Sequence, residues 1–269
     1  MRPAKDLSNK SHAHCNETLV SIMLKRRSSY FQTNNQDFFY DKYLSEFLVR
    51  SIGDIIPRNC DHKFLVLDIG CGEQPLRSIV EGYGATYMSA DITQNRTASV
   101  DFLVDITSPN VSKIIPERYD LILLSEVLEH VQSPYLAMLN VKHLLKHNGR
   151  ALVTTPFVWP LHEQPLDYQR LTSFWFEKHV PLVGLHIEIQ ECLGSPIDVL
   201  STILLKTHVY AVGTSSFRAL LSRLYALLTR SSISWLVFIL SKHVVFSAKS
   251  SSSFYLINCL VLTCKSANG

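Results

Sequence analysis

Twelve residues, Phe64 to Pro75 (FLVLDIGCGEQP), constrain the fold of this chain more than any other stretch. Phe64–Leu67 is a short apolar run of the kind a parallel strand shows when both of its faces are buried. Asp68 stands where that strand ends. Gly70 and Gly72 then allow a sharp turn and a close approach to a ligand, because neither carries a Cβ. Pro75 suits the first turn of a following helix, where its missing N–H costs nothing. Strand, acid, glycine turn and helix make a nucleotide-type binding corner. A dinucleotide fingerprint wants a third glycine at position 75, which is proline here. The corner argues against a pyrophosphate and fits a cationic ligand beside Asp68.

Strands and helices alternate on either side of that corner. From Asp37, the residues Tyr40, Tyr43, Leu44, Phe47, Leu48 and Ile52 recur at helical spacing, and Pro57 ends the run. After the turn, a helix over Leu76–Tyr83 stops at Gly82 and Gly84. A second strand, Thr86–Ala90, ends at Asp91, which lies 23 residues after Asp68. That is near the spacing at which a strand–helix–strand unit presents an acid to ribose hydroxyls. A third strand, Ser99–Val104, ends at Asp105. Tyr119–Leu124 is a fourth, followed by SEVLEHV. Ser133 and Pro134 open a helix expected to run to His147, with Gly149 as its stop. Arg150–Thr155 is a fifth strand, Thr172 caps another helix, and Leu185–Gln190 and Phe254–Thr263 are the sixth and seventh strands. Such alternation implies an α/β fold with a mainly parallel sheet covered on both faces.

The 269 residues are 46% apolar and 18% charged, which describes a globular chain able to bury one sizeable core. Six cysteines lie scattered without C-x-x-C spacing and read as reduced thiols, neither a disulfide framework nor a zinc site. No metal is expected: His12, His14 and Cys15 sit in a polar segment typical of a frayed terminus. No apolar signal region opens the chain, so a cytoplasmic location is expected. The net charge of +3 conceals a partition. Residues 1–30 carry six basic and two acidic side chains, residues 31–194 thirteen and twenty, and residues 195–269 seven and one. With an acidic core, nucleic acid is not an expected partner.

The ordered set Asp68-Ile-Gly-Cys-Gly72, Asp91, Asp105 and SEVLEHV resembles the class I S-adenosylmethionine-dependent methyltransferases, in particular the methyltransferase type 11 group. The resemblance implies a Rossmann-like seven-stranded sheet, mostly parallel with an antiparallel last strand. It also implies a cofactor, S-adenosyl-L-methionine, whose sulfonium, ammonium and ribose complement an acidic pocket. On this reading Asp68, Gly70 and Gly72 face the methionine part and Asp91 binds the ribose. Asp105 and Ile106 flank the adenine, and Ser125 and Glu126 line the floor beneath the sulfonium. The chain departs from the family pattern at Gln74–Pro75, where many members have a third small residue.

The stretch after the fifth strand points to the acceptor. His162, Glu163, Asp167 and Arg170 fall within nine positions, among Trp159 and Tyr168. Methyl transfer to a hydroxyl needs a proton removed, and imidazole suits that near neutral pH. His162 and Asp167 are the catalytic candidates; Trp159, Glu163, Tyr168 and Arg170 are the substrate-binding ones. The alternative is that His162, Asp167 and Arg170 only fix the loop. His130 reads as structural or pocket-lining. The pattern P-x-x-x-P-x-H-x-x-P-x-D-x-x-R-x-T, from Pro156 to Thr172, is similar to methyltransferases of bacterial polysaccharide and sugar clusters. An oxygen of a small-molecule, sugar or lipid-linked acceptor is therefore the expected target. The competing classes are an NAD(P)-dependent Rossmann oxidoreductase, which Pro75 and the lack of a Tyr-x-x-x-Lys pair disfavour, and a non-catalytic membrane-peripheral cofactor-binding protein.

Four regions are expected: a polar basic extension over 1–35, the cofactor-binding core over 36–194, a helical insertion over 195–250, and the last strand and tail over 251–269. In the insertion, Leu220, Leu224 and Leu227 share a helical face with Arg218, Arg223 and Arg230 off it. Ile233–Phe246, with Trp235, Phe238 and Leu240, is apolar but shorter than the roughly 20 residues of a bilayer span. Peripheral contact with an anionic inner-membrane face is one expectation, and a lid or dimer seam is the other.

Overall fold

The computed structural model describes residues 37–58, 63–207 and 254–265. Helix α1 (Phe38–Ile55) leads into strand β1 (Leu65–Ile69), helix α2 (Arg77–Gly82), β2 (Thr86–Asp91), β3 (Phe102–Leu103), α3 (Val111–Ile114) and β4 (Tyr119–Ser125). A 3-10 turn (Leu128–His130), α4 (Pro134–Leu144), β5 (Leu145–Pro156), α5 (Ser173–His179), a second 3-10 turn (Pro181–Val183), β6 (His186–Leu193), α6 (Pro196–Thr207) and β7 (Ile257–Thr263) complete the order. The seven strands form one sheet in the order β3-β2-β1-β4-β5-β7-β6. β1 pairs in parallel with β2 and β4, whereas β7 runs antiparallel to β5 and β6. The expected sheet, with its antiparallel last strand, is the observed one.

Alternation along the central strands explains why both faces are covered. Ile122 and Leu124 point into a core with α3, α4 and α5. Leu121 and Leu123 point into a second core with α1 and α2. All four are fully buried. The predicted periodic face of α1 is the one that packs, through Tyr40, Leu44, Phe47, Leu48 and Ile52. Strand order reverses between β1 and β4, so a crevice opens at their carboxyl ends.

Three expectations need correction. The third strand shrinks to Phe102–Leu103 because side chains take the backbone donors before it. Ser99 N–H donates to Asn95 Oδ1 (3.0 Å), Val100 N–H to Gln94 Oε1 (2.8 Å) and Asp101 N–H to Ser89 Oγ (3.1 Å). Helix α4 stops at Leu144, not His147, because Leu145 already pairs with Tyr119; the register then slips so that Leu121 meets Arg150. Pro75 lies ahead of α2, whose N-cap is Leu76, and not in its first turn.

The four described cysteines, Cys71, Cys192, Cys259 and Cys264, are free. Only the start of the expected insertion is described, as α6. It docks on α1: buried Asp198 accepts from Tyr43 Oη at 2.8 Å and from the Ser195 N–H at 2.8 Å. The face carrying Leu220, Leu224, Leu227, Trp235, Phe238, Leu240 and the three arginines lies outside the described residues, as does the expected extension over 1–35. Among the described residues no helix is long and apolar enough to cross a membrane.

Candidate active site

The glycine turn is built by backbone geometry first. Gly70 has φ +69°, and a Cβ there would stand 2.3 Å from Val127 Cγ2, so a side chain is excluded both by conformation and by packing. Gly72 has φ +48°, but a Cβ on it would meet nothing within 4 Å. The space over Gly72 is open, as a ligand cradle requires. Gln74, also in the left-handed region at φ 59°, is the residue that closes the turn. Its buried amide donates to Ser89 Oγ (3.0 Å) and to the Ser99 carbonyl (2.9 Å). Gln74 thus anchors the turn to the β2–β3 connection.

Two of the three strand-end acids converge on this turn. Asp91 accepts from the Gly72 N–H at 2.9 Å and stays half-exposed. Asp68 is buried beneath the turn and accepts from Tyr87 Oη at 2.5 Å. Burial pushes its carboxyl up to about 7, against the opposing pull of the Tyr87 hydrogen bond. Asp105, by contrast, is exposed and caps its own turn, accepting from Thr107 N–H (2.8 Å) and Thr107 Oγ1 (2.7 Å). Ile106 is buried in the core, with its carbonyl held by Asn140 Nδ2 at 2.6 Å. The sequence reading passed over Ile92 and Leu103, which are 61% and 52% exposed on the same edge, with Leu103 in register opposite Asp91. An open turn, a half-exposed acid and an apolar edge fit a nucleoside with a cationic tail.

At the end of β4, Ser125 Oγ lies 3.0 Å from Thr154 Oγ1. Glu126, at φ 58°, accepts from Thr154 Oγ1 (2.9 Å) and from Tyr40 Oη of α1. Burial first, then the Glu126 charge, raise the Tyr40 hydroxyl well above its usual range. Tyr40 also packs on Trp159, ring centroids 4.1 Å apart, and Lys206 Nζ sits 4.3 Å from the Trp159 ring centre. Neither Tyr40 nor Lys206 was foreseen: the helical spacing marked Tyr40 only as part of a core face, and Lys206 falls within the expected insertion.

The loop after β5 folds back onto the 3-10 turn. Gln169 Nε2 donates to the carbonyls of Leu128 (3.0 Å) and Val131 (2.8 Å), and Tyr168 N–H donates to the Glu129 carbonyl (2.9 Å). These bonds bring His162 beside His130, ring centroids 4.7 Å apart. Asp167 receives the His162 backbone N–H at 3.0 Å, and its Oδ2 lies 3.1 Å from His162 Nδ1. Arg170 grips both Asp167 oxygens, Nη2 to Oδ2 at 2.7 Å. That pairing holds the Asp167 carboxyl down at about 2. Arg170 also donates to the Pro160 carbonyl (3.2 Å) and the Gln169 carbonyl (2.9 Å). The motif residues His162, Asp167, Arg170 and Thr172 therefore shape the loop itself, the last by capping α5. Arg170, expected among the substrate contacts, is engaged within the loop. Glu163 and Tyr168 are exposed, and Trp159 is half-buried.

Glu129 was missed as a site residue, though Glu129 and His130 follow Glu126 at the three- and four-residue spacing that shares one helical face. It is 1% exposed, and neither carboxylate oxygen has a hydrogen-bond partner. Burial, then the Glu126 charge, raise its pKa well above the usual range. One oxygen lies 3.7 Å from His130 Nε2 and 4.0 Å from His162 Nε2. The sequence reading expected no metal. Folding of the loop nevertheless gathers Glu129, His130 and His162 so that one donor atom from each falls within 4.8 Å of the others.

Residues 40–186 match the family described as "Methyltransferase domain". The chain is similar to the ubiquinone biosynthesis O-methyltransferase of Bradyrhizobium diazoefficiens, 32% identical over 105 residues that cover 36% of this chain and 42% of that protein. The Rickettsia typhi enzyme of the same name is 28% identical over 35% of this chain and 41% of its own length. The matches thus span about two fifths of the curated relatives. Among solved structures, an O-methyltransferase from a trans-AT PKS multienzyme of Brevibacillus brevis, in complex with S-adenosyl-L-homocysteine, superposes with a TM-score of 0.51 at 16% identity, covering 87% of this chain and 78% of that one. At that identity the likeness is one of fold.

Proposed function

We propose a reaction for a chain that belongs to the methyltransferase-domain family: transfer of the methyl group of S-adenosylmethionine to a hydroxyl oxygen of a small-molecule acceptor. When bound, the cofactor supplies an electrophilic methyl carbon on a sulfonium, which the oxygen takes as the C–S bond breaks. The chain's own residues have three tasks. Asp91 meets the ribose hydroxyls while the Gly70–Gly72 backbone admits the methionine part. His162 faces the acceptor and takes its hydroxyl proton. Asp167, fixed by Arg170, keeps the His162 Nδ1–H oriented so that Nε2 is the proton acceptor.

The observation that carries this reading is the His162–Asp167 pair on the loop at the carboxyl end of β5, on the same edge of the sheet as the open glycine turn. The similarity to ubiquinone biosynthesis O-methyltransferases supports oxygen as the target. Leu161, Leu166 and Tyr168, exposed by 65%, 42% and 46% around His162, favour an acceptor with an apolar body. A glycan or lipid-linked acceptor draws on the loop pattern alone, and that pattern is used in the loop's own bonding.

The test is turnover of labelled cofactor with a panel of phenols and alcohols, in wild type and His162→Gln. The variant is expected to lose about 10²–10⁴ in rate, as removal of a general base does, with cofactor affinity unchanged within a few-fold. Turnover retained by His162→Gln would overturn the assignment.

A further inference from the structure

We propose that Glu129, His130 and His162 hold a divalent cation of the zinc or manganese class, with an open coordination position for the acceptor oxygen. The proposal rests on the oxygen-methylation reading above and deepens it. Nothing in the chain's sequence spacing announces the site; His162 lies 32 residues after His130 and reaches it only because the loop folds back.

The proton positions of the two histidines carry the argument. His162 Nδ1 faces Asp167 Oδ2 at 3.1 Å and the Pro160 carbonyl at 3.3 Å, both of them acceptors. His130 Nδ1 faces the Leu166 carbonyl at 3.1 Å, again an acceptor. In each neutral ring the proton therefore sits on Nδ1, and the Nε2 lone pair is left free. Both free lone pairs turn to the same oxygen of Glu129, at 3.7 and 4.0 Å, beyond hydrogen-bond range. That carboxylate is buried and without a hydrogen-bond partner. The two Nε2 lone pairs and the Glu129 carboxyl thus face one another, and among the described residues no donor hydrogen-bonds either Glu129 oxygen. Lone pairs so arranged repel, and a buried unpaired carboxylate is strongly unfavourable. A cation in the gap reverses both terms.

Geometry and ligand type agree. Two ligands bound at about 2.0–2.2 Å to one ion in tetrahedral geometry stand about 3.3–3.6 Å apart. The two Glu129–imidazole separations, 3.7 and 4.0 Å, lie within about half an ångström of that, and the overall spread of 4.8 Å closes by rotation of the two rings through about an ångström. Two imidazoles with one carboxylate favour zinc, manganese or iron over calcium or magnesium, which prefer all-oxygen sets. Behind His162, Asp167 and Arg170 supply the carboxylate–histidine support that metal-binding imidazoles use. Glu126 adds negative charge nearby but is already engaged with Thr154 and Tyr40. Exposed Glu163, 3.8 Å from His130 Nε2, is placed as a further ligand. The cation keeps the oxygen methylation proposed above but replaces its base step, because an Nε2 that binds the ion cannot also take the proton. The acceptor hydroxyl then binds the cation and ionises there, its proton leaving to solvent, before the oxygen takes the methyl group.

The test loads chelator-treated full-length protein with Co²⁺ as a spectroscopic probe, then displaces it with Zn²⁺, reading visible absorption and calorimetry. One equivalent per chain is expected. Asp167→Asn should weaken binding about 10–100-fold, as loss of an outer partner does, and His130→Ala, His162→Ala or Glu129→Gln should weaken it further. S-adenosylmethionine binding to each variant, measured in parallel, reports that the fold is intact. No uptake at tenfold excess of Co²⁺ or Zn²⁺, or uptake that survives both histidine changes in folded protein, would overturn the proposal. Stoichiometric uptake without methyl transfer to any hydroxyl leaves the cation site standing and removes the oxygen-methylation reading. Full activity in chelated protein does the reverse.

Discussion

Asp68→Asn isolates the one buried carboxyl of the glycine turn. Its carboxyl is 3% exposed and raised to about 7, against an ordinary 3.8. Between those values the folded protein holds a proton that the unfolded chain has lost. Stability therefore falls as pH rises, the opposite of the usual carboxylate, and the loss is complete once pH passes the folded value. Integrated from pH 5 to pH 8, this one group removes about 2–3 kcal/mol from the unfolding free energy. Asparagine keeps an oxygen for Tyr87 Oη and cannot ionise. The Asp68→Asn variant should thus gain about that amount on wild type over the same interval. Urea unfolding at pH 5, 6, 7 and 8, with both proteins in one buffer series, measures it. The effect extends to binding: a sulfonium or ammonium near Asp68 favours the carboxylate, so cofactor binding at pH 6 should release close to one proton in wild type and none in the variant. Calorimetry in two buffers of different ionisation enthalpy reads this directly. Parallel stability curves for the two proteins between pH 5 and pH 8 would refute the reasoning.

Asp91→Ala should weaken S-adenosylmethionine binding by about 1–3 kcal/mol, as loss of charge-assisted hydrogen bonds does; unchanged affinity by calorimetry would remove Asp91 from the site. Gly70→Ala combines a left-handed backbone cost of about 1–2 kcal/mol with the clash on Val127. Denaturation should show a loss that Val127→Ala partly restores in the double variant, and strict additivity would contradict the contact. Arg170→Gln should raise the acceptor KM and lower kcat while leaving cofactor Kd unchanged, because Arg170 holds the loop and not the turn. A change in cofactor Kd alone would contradict that placement.

What could be read from the sequence follows the range of the interactions. Strand ends, glycine turn and the aspartates at 68, 91 and 105 were visible because each is set by apolar runs and backbone conformation within a few residues. The third strand was over-long because its competitors, Asn95, Gln94 and Ser89, bond through side chains that periodicity does not register. The motif around His162 was legible as residues but not as roles. Only the fold shows Arg170 turned into the loop and His162 turned towards Glu129. Glu129 itself reads as one more charged residue in SEVLEH. Its missing partners become apparent when the burial of the 3-10 turn is known. The apolar and basic stretch beyond Thr207 lies outside the described residues, so its expected membrane or lid role stands as a proposal.

The central claim is that the methyl group goes to oxygen. It is tested most directly by single-turnover reaction with methyl-¹³C cofactor and an acceptor carrying both a hydroxyl and an amine, followed by NMR of the product. The account predicts one equivalent of demethylated cofactor and a labelled methyl ether, with the carbon shift of an O-methyl group. Label on nitrogen or carbon, or cofactor consumed with no labelled ether, would contradict it.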